Sequence, residues 1–110
     1  MRLPNPDAAH VDRNKLTRYL LSETHPIGRW KARFFRGVGF DDAHADVLRQ
    51  ELIAIAKTGE VVDTTRSPHG VKYIVEGVLK APSGAEVRLR TVWIVHTGEA
   101  RPRFVTAYPV

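Results

Sequence analysis

Ala85-Glu86-Val87-Arg88-Leu89-Arg90-Thr91-Val92-Trp93-Ile94-Val95 is the stretch that decides the fold. It reads as the longest strand of the chain. Its last four residues, Val92 to Val95, are apolar on both faces, the pattern of a strand near a sheet centre. Arg88 and Arg90 share one face, while Arg90 and Thr91 point oppositely unless a bulge intervenes. Turn residues bracket the stretch, with Ala81-Pro82-Ser83-Gly84 before it and Thr97-Gly98-Glu99-Ala100-Arg101-Pro102 after it. Beyond those turns lie two more strands. Val71 to Lys80 alternates at Val71, Tyr73 and Val75, and Arg103 to Tyr108 closes the chain. Glu60 to Thr65 is a short strand, joined to the next by the turn Ser67-Pro68-His69-Gly70. These strands form an antiparallel meander.

Upstream of the strands, an extended arm leads into three helices. Residues 1–11, with two prolines and few apolar residues, read as an extended arm. Asp12 caps a helix from Arg13 with Leu16, Tyr19 and Leu20 on one apolar stripe. Ser22-Glu23-Thr24-His25-Pro26 breaks it, because the residue before proline is steered away from helical geometry. A second helix follows and ends at Gly37 or Gly39. Asp41 or Asp42 caps a third, running to about Lys57, with Ala45, Leu48, Leu52 and Ile55 as its core stripe and Thr58-Gly59 as its stop. Helices followed by a meander define an α+β class: three N-terminal helices, then a four-stranded antiparallel sheet. The 110 residues suit a single domain.

The second helix carries the anomaly. His25 to Phe40 holds four of the 17 Lys and Arg residues and no acid. With about 100° per residue, Ile27, Trp30, Phe34 and Val38 fall within roughly 80° of one another. Trp30, Phe34 and Val38 therefore read as core, and Arg29, Arg33 and Arg36 as a solvated stripe open to nucleic acid. Lys31 is the misfit, because it falls inside the apolar arc. A buried lysine must find an anion, reach water along its own stem or lose its proton.

Composition narrows the chemistry. The apolar fraction of 43% and the charged fraction of 26% are those of an ordinary soluble domain. No apolar run approaches a membrane span, and the N-terminus lacks an apolar signal core. The absence of cysteine excludes disulfides and cysteine-ligated zinc, so a cytoplasmic setting and no membrane partner are expected. A net charge of +5 favours an anionic partner. The five histidines are scattered without ligand spacing, so no metal is expected. No phosphate-cradling glycine loop, serine elbow or cysteine nucleophile is present. What remains is phosphodiester chemistry without metal or other cofactor, which needs a base, an acid and cations on the phosphate. His25 can serve as acid or base, Lys31 and Arg90 as phosphate holders, Glu76 as a second base, and Thr106 and Tyr108 as hydroxyls on one face of the last strand. Each has an ordinary structural reading as well: His25 as a helix cap, Lys31 at the rim of its face, and Arg88 and Arg90 on a solvated sheet face.

A wider pattern carries a resemblance. Lys15-Leu16, Tyr19-Leu20-Leu21, His25-Pro26, Gly28, Lys31-Ala32, Phe34-Phe35 and Gly39-Phe40 match a bacterial domain of unknown function. So do Gly70, Tyr73, Val75-Glu76, Pro82, Gly84, Val87-Arg88, Arg90-Thr91, Trp93-Ile94, Gly98, Pro102 and Thr106. That domain occurs as small standalone proteins and as the C-terminal tip of polymorphic toxins. Its element order is similar to the barnase–EndoU–colicin–RelE group of ribonucleases. The resemblance implies a metal-independent ribonuclease acting on RNA, with His25, Lys31, Arg90, Thr91 and Thr106 as the catalytic positions and Glu76 behind them. It also implies a neutralising partner, an antitoxin or immunity protein, expected to be acidic. Two alternatives stand beside it. One is a non-catalytic nucleic-acid-binding module using Arg29, Arg33, Arg36 and Arg88. The other is an adaptor for an acidic protein.

Overall fold

The structure is a computed structural model of the chain and describes residues 1–25 and 29–110. Pro26, Ile27 and Gly28, the expected opening of the second helix, lie outside the described residues. Four strands, β1 (Glu60–Ser67), β2 (Gly70–Lys80), β3 (Glu86–His96) and β4 (Arg103–Pro109), pair antiparallel in the order β1-β2-β3-β4. The helices precede them, so the chain is α+β with its helices N-terminal to the sheet. The stretch around Trp93 sits between β2 and β4, as its two-sided apolar pattern requires. β1 runs two residues further than its composition suggests, because Arg66 and Ser67 still pair with Val71 and Gly70. Between β2 and β3 the register is unbroken from Gly70↔His96 to Lys80↔Glu86.

One irregularity positions the site. Across β3 and β4, Val92 faces Thr106 while the next residue, Trp93, faces Phe104. Val105 is therefore the extra residue of a bulge, which bends the edge strand and re-aims its side chains. Phe104 and Ala107 stay buried with Leu89, Thr91 and Trp93 beneath the helices. Glu76, Arg90 and Tyr108 form a row on the opposite face, since directly paired residues of an antiparallel sheet share a face.

The first helical segment, α1, opens as one turn, Arg13–Lys15, capped by the Asp12 carboxylate accepting from Asn14 N at 2.9 Å. It widens at once to π geometry over Leu16–Leu20, closed by Leu21 N donating to Leu16 O at 2.7 Å. Leu16, Leu20 and Leu21 are fully buried beneath it. α2 spans Arg29–Gly37, and Gly39 beyond it takes φ 105°, the left-handed conformation that suits glycine after a helix end. α3 spans Ala45–Thr58 and buries Ala45, Leu48, Leu52, Ile55 and Ala56. It packs tightly on the sheet at Gly77, where a Cβ would stand 2.9 Å from Ile55 Cγ2. The N-terminal arm is packed down. Leu3 and Val11 are buried, and His10 bridges alongside Arg103, accepting from Phe104 N and donating to Pro102 O, both at 2.9 Å. Among the described residues no helix is long and apolar enough to cross a membrane.

The buried side of α2 corrects the hydrophobic-arc reading. Its buried residues are Lys31, Ala32 and Phe35, whereas Trp30 is 54% exposed and Phe34 and Val38 are only half-buried. The helix is turned so that Phe35 enters the core against Phe40 and Trp30 is left at the rim. Periodicity alone favours Trp30 because it counts apolar area and not neighbours. Two substitutions check the orientation by denaturant unfolding. Phe35→Ala is expected to cost about 3–5 kcal/mol, and Trp30→Ala about 0.5 kcal/mol or less. The reverse order would contradict the packing described.

Candidate active site

Lys31 sits on the buried side of α2 at 8% exposure and extends toward the edge strand β4. Its Nζ donates to Tyr19 Oη and to Thr106 Oγ1, each at 2.8 Å, and the two hydroxyls lie 3.2 Å apart. α1, α2 and β4 each supply one corner of this triangle. The π turn of α1 carries Tyr19, and the β4 bulge precedes Thr106. Two rings add to the cation's surroundings, with Tyr19 centred 5.3 Å and Trp30 5.4 Å from Nζ. Lys15 Nζ lies 5.7 Å from the same Tyr19 ring. No ion pair of the described residues includes Lys31. Among the described residues the buried ammonium is thus held by hydroxyls and rings, with no carboxylate paired to it.

His25 precedes α2 in the chain, its carbonyl accepting from Arg29 N at 3.0 Å. Its ring meets the Tyr19 ring edge-on, centroids 5.0 Å apart at 86°. Tyr19 is therefore the hub between His25, Lys31 and Thr106. Burial pushes its phenol up, but the hydrogen bonds with Lys31 and Thr106 and the charges of Lys31 and Lys15 outweigh it. The phenol is left below its ordinary value of 10.0. A hydroxyl made easier to ionise, an imidazole and a cation within one cluster can move protons around an anion.

The other residues expected at a site divide into two groups. Arg90 lies on the face opposite the helices, its Nε 3.3 Å from Glu76, which also receives Arg88 Nε at 3.2 Å. Tyr108 is directly opposite Arg90, so Thr106 is its diagonal neighbour, about 7–8 Å away at the backbone and within reach of a long side chain. Arg90, Glu76 and Tyr108 hence form the row adjoining the Lys31 cluster. Thr91 goes elsewhere. It is fully buried on the helix side, where its hydroxyl donates to Val75 O and accepts from Trp93 Nε1, both at 2.8 Å. The β2–β3 register is regular at Arg90 and Thr91, so the bulge needed to bring them to one side is absent and the break falls two residues later.

The basic stripe of α2 also splits. Arg29 and Arg33 are exposed. Arg36 is a tie within the fold, not a free cation: it donates to Leu21 O from Nε at 2.9 Å and from Nη2 at 2.7 Å, and pairs with Glu23 and Asp42. Tyr19 is the functional candidate that pattern reading missed, because its place in an apolar stripe conceals the polar end of the ring.

The chain belongs to a family of domains of unknown function, DUF6883, whose model matches residues 2–110. A solved chain from the contact-dependent growth inhibition toxin–immunity protein complex of Klebsiella pneumoniae 342 is similar in fold. It is 21% identical with a TM-score of 0.70, over 91% of this chain and 98% of that one. No curated protein matches.

Titrating Tyr19 tests the electrostatics of the cluster. Lys31→Met removes a donor and a positive charge that both favour the phenolate. The Tyr19 titration, followed by the ring-carbon NMR shift, is therefore expected to move to higher pH. An unchanged titration would show that Lys31 does not act on Tyr19.

Proposed function

We propose that this domain is a toxin-like ribonuclease that cleaves RNA by acid–base chemistry of its own side chains. One observation carries the reading: the Lys31 ammonium is buried on two hydroxyls and two rings, without a carboxylate partner among the described residues. Such a cation is costly to the fold and is suited to an incoming anion. The net charge of +5 and the exposed Arg29 and Arg33 beside Trp30 favour a polyanion.

In the proposed reaction the RNA 2′-oxygen attacks the adjacent phosphorus. The new 2′-O–P bond forms as the P–O5′ bond breaks, leaving a cyclic phosphate and a 5′-hydroxyl. One of His25 and Tyr19 takes the 2′-hydroxyl proton, and the other delivers a proton to the leaving oxygen. Lys31 stabilises the charge that develops on the phosphoryl oxygens. Thr106 orients Lys31, and Arg90, released from Glu76, holds the flanking phosphate in bidentate fashion. Thr91 has a structural part in this scheme. The similarity in fold to a chain of a toxin–immunity complex supports a part in such a system, and the basic charge and the Lys31 cluster favour the toxin side. A neutralising protein would then be acidic and would cover the face bearing Lys31 and Trp30.

The test is purified protein on total RNA in EDTA, with growth after tight induction as a parallel readout. Wild type is expected to cleave RNA and to arrest growth. Lys31→Ala is expected to lower cleavage by about 10²–10³-fold, and His25→Ala by about 10²-fold or more. Wild-type protein that leaves RNA intact contradicts the reading. Intact RNA bound with steep salt dependence would instead identify a non-catalytic binding module.

A further inference from the structure

A second feature lies on the open face of the sheet, next to the Lys31 cluster. Lys72 on β2, Ile94 on β3 and Arg103 on β4 are paired in sequence across the sheet and share one face. The arm adds His10 beside Arg103. Together with Lys15 and His96 they line a cavity of about 380 Å³, within the range of about 300–1,000 Å³ of small-ligand sites. The cavity has three cationic walls, two imidazoles and apolar lining at Ile94 and Val105. Asp12 is its one acid, and that carboxylate is engaged in capping α1. Lys15 and Lys72 make no ion pair among the described residues, while Arg103 pairs with Glu99 at the exposed rim, 3.3 Å away. Burial, reinforced by Arg101, Arg49 and Arg103, lowers the affinity of His10 for a proton. The imidazole offers a flat face on which a base can stack and ring nitrogens to which it can hydrogen-bond.

The cavity and the Lys31 cluster share a wall. Val105 lines the cavity and Thr106 follows it in β4, while Lys15 lines the cavity and reaches over the Tyr19 ring. We infer that the cavity is a nucleotide subsite that holds the residue of RNA next to the cleaved bond, its base over Ile94 between His10 and His96 and its phosphate on Lys15 and Lys72. This inference rests on the RNA-cleaving reading for its biological sense, but mononucleotide binding tests it independently.

The experiment titrates each of the four nucleoside 3′-monophosphates, and separately inorganic phosphate, into the wild-type protein while the His10 and His96 ring-proton NMR signals are followed. Mononucleotides carry no internucleotide bond, so binding is read without turnover. At least one nucleotide is expected to shift both histidines saturably and more tightly than inorganic phosphate does. Lys72→Ala is expected to weaken that binding about tenfold, the loss of one charge-assisted contact. It should also raise KM for RNA without changing kcat. Absent histidine shifts, equal affinity for inorganic phosphate, or indifference to Lys72→Ala overturns the subsite. Nucleotide binding with uncleaved RNA would refute the nuclease reading alone, and RNA cleavage without nucleotide binding would refute the subsite alone.

Discussion

A lysine ammonium buried on two hydroxyls is the constraint on which the site of this fold depends. Lys31 Nζ draws its two hydrogen bonds from elements far apart in sequence, Tyr19 in the π turn of α1 and Thr106 beyond the bulge of β4. Neither irregularity is needed to build a helix or an antiparallel pair. π turns and bulges both leave the regular hydrogen-bond ladder, and both recur where a side chain must be aimed. Here each lies next to a hydroxyl that faces the same cation. The fully buried Leu16, Leu20 and Leu21 hold α1 in place, Phe35 holds α2, and Phe104 and Ala107 hold β4. The apolar core therefore positions the triangle, and the triangle itself contributes little apolar burial.

Electrostatics then sets what the triangle can do. In Arg36, Arg88 and Arg90 the chain answers cations with carboxylates. At Lys31 it does not. Surrounding a desolvated ammonium with hydroxyls and aromatic faces stabilises it only in part. The remaining demand is for negative charge, and the phenol of Tyr19, already pulled toward ionisation, is one answer within the protein. A phosphate brought by a ligand is a better one, since it satisfies Lys31 and leaves Tyr19 and His25 to exchange protons.

Much of the architecture could be read from residues alone, because strands, turns and caps are local. Alternation at Val71, Tyr73 and Val75, the turns at Pro68-His69 and Pro82-Ser83, and the core stripe of α3 each depend on neighbours within a few positions. The class and order of the elements follow from them. Lys31 stood out for the same reason, as a charge inside an apolar arc. What stayed hidden was non-local. Tyr19 meets Thr106 across 87 positions, and no periodicity within α1 distinguishes a tyrosine that packs from one that also hydrogen-bonds. The rotation of α2 depends on Phe35 finding Phe40, so Trp30 reads as core from its period and lies at the rim in the fold. Arg90 and Thr91, adjacent in sequence, were separable only by knowing that the β2–β3 register has no break between them.

If Lys31 is kept for an anion and not for the fold, replacing it with an apolar side chain of similar length should not harm stability. Tyr19 Oη and Thr106 Oγ1, 3.2 Å apart, would still have each other as partners. The decisive measurement is the unfolding free energy of Lys31→Met against wild type in buffer free of phosphate and sulfate. The account predicts a variant at least as stable as wild type, in keeping with the general trade between function and stability. A loss of about 2 kcal/mol or more, the mark of a side chain the core requires, would contradict it.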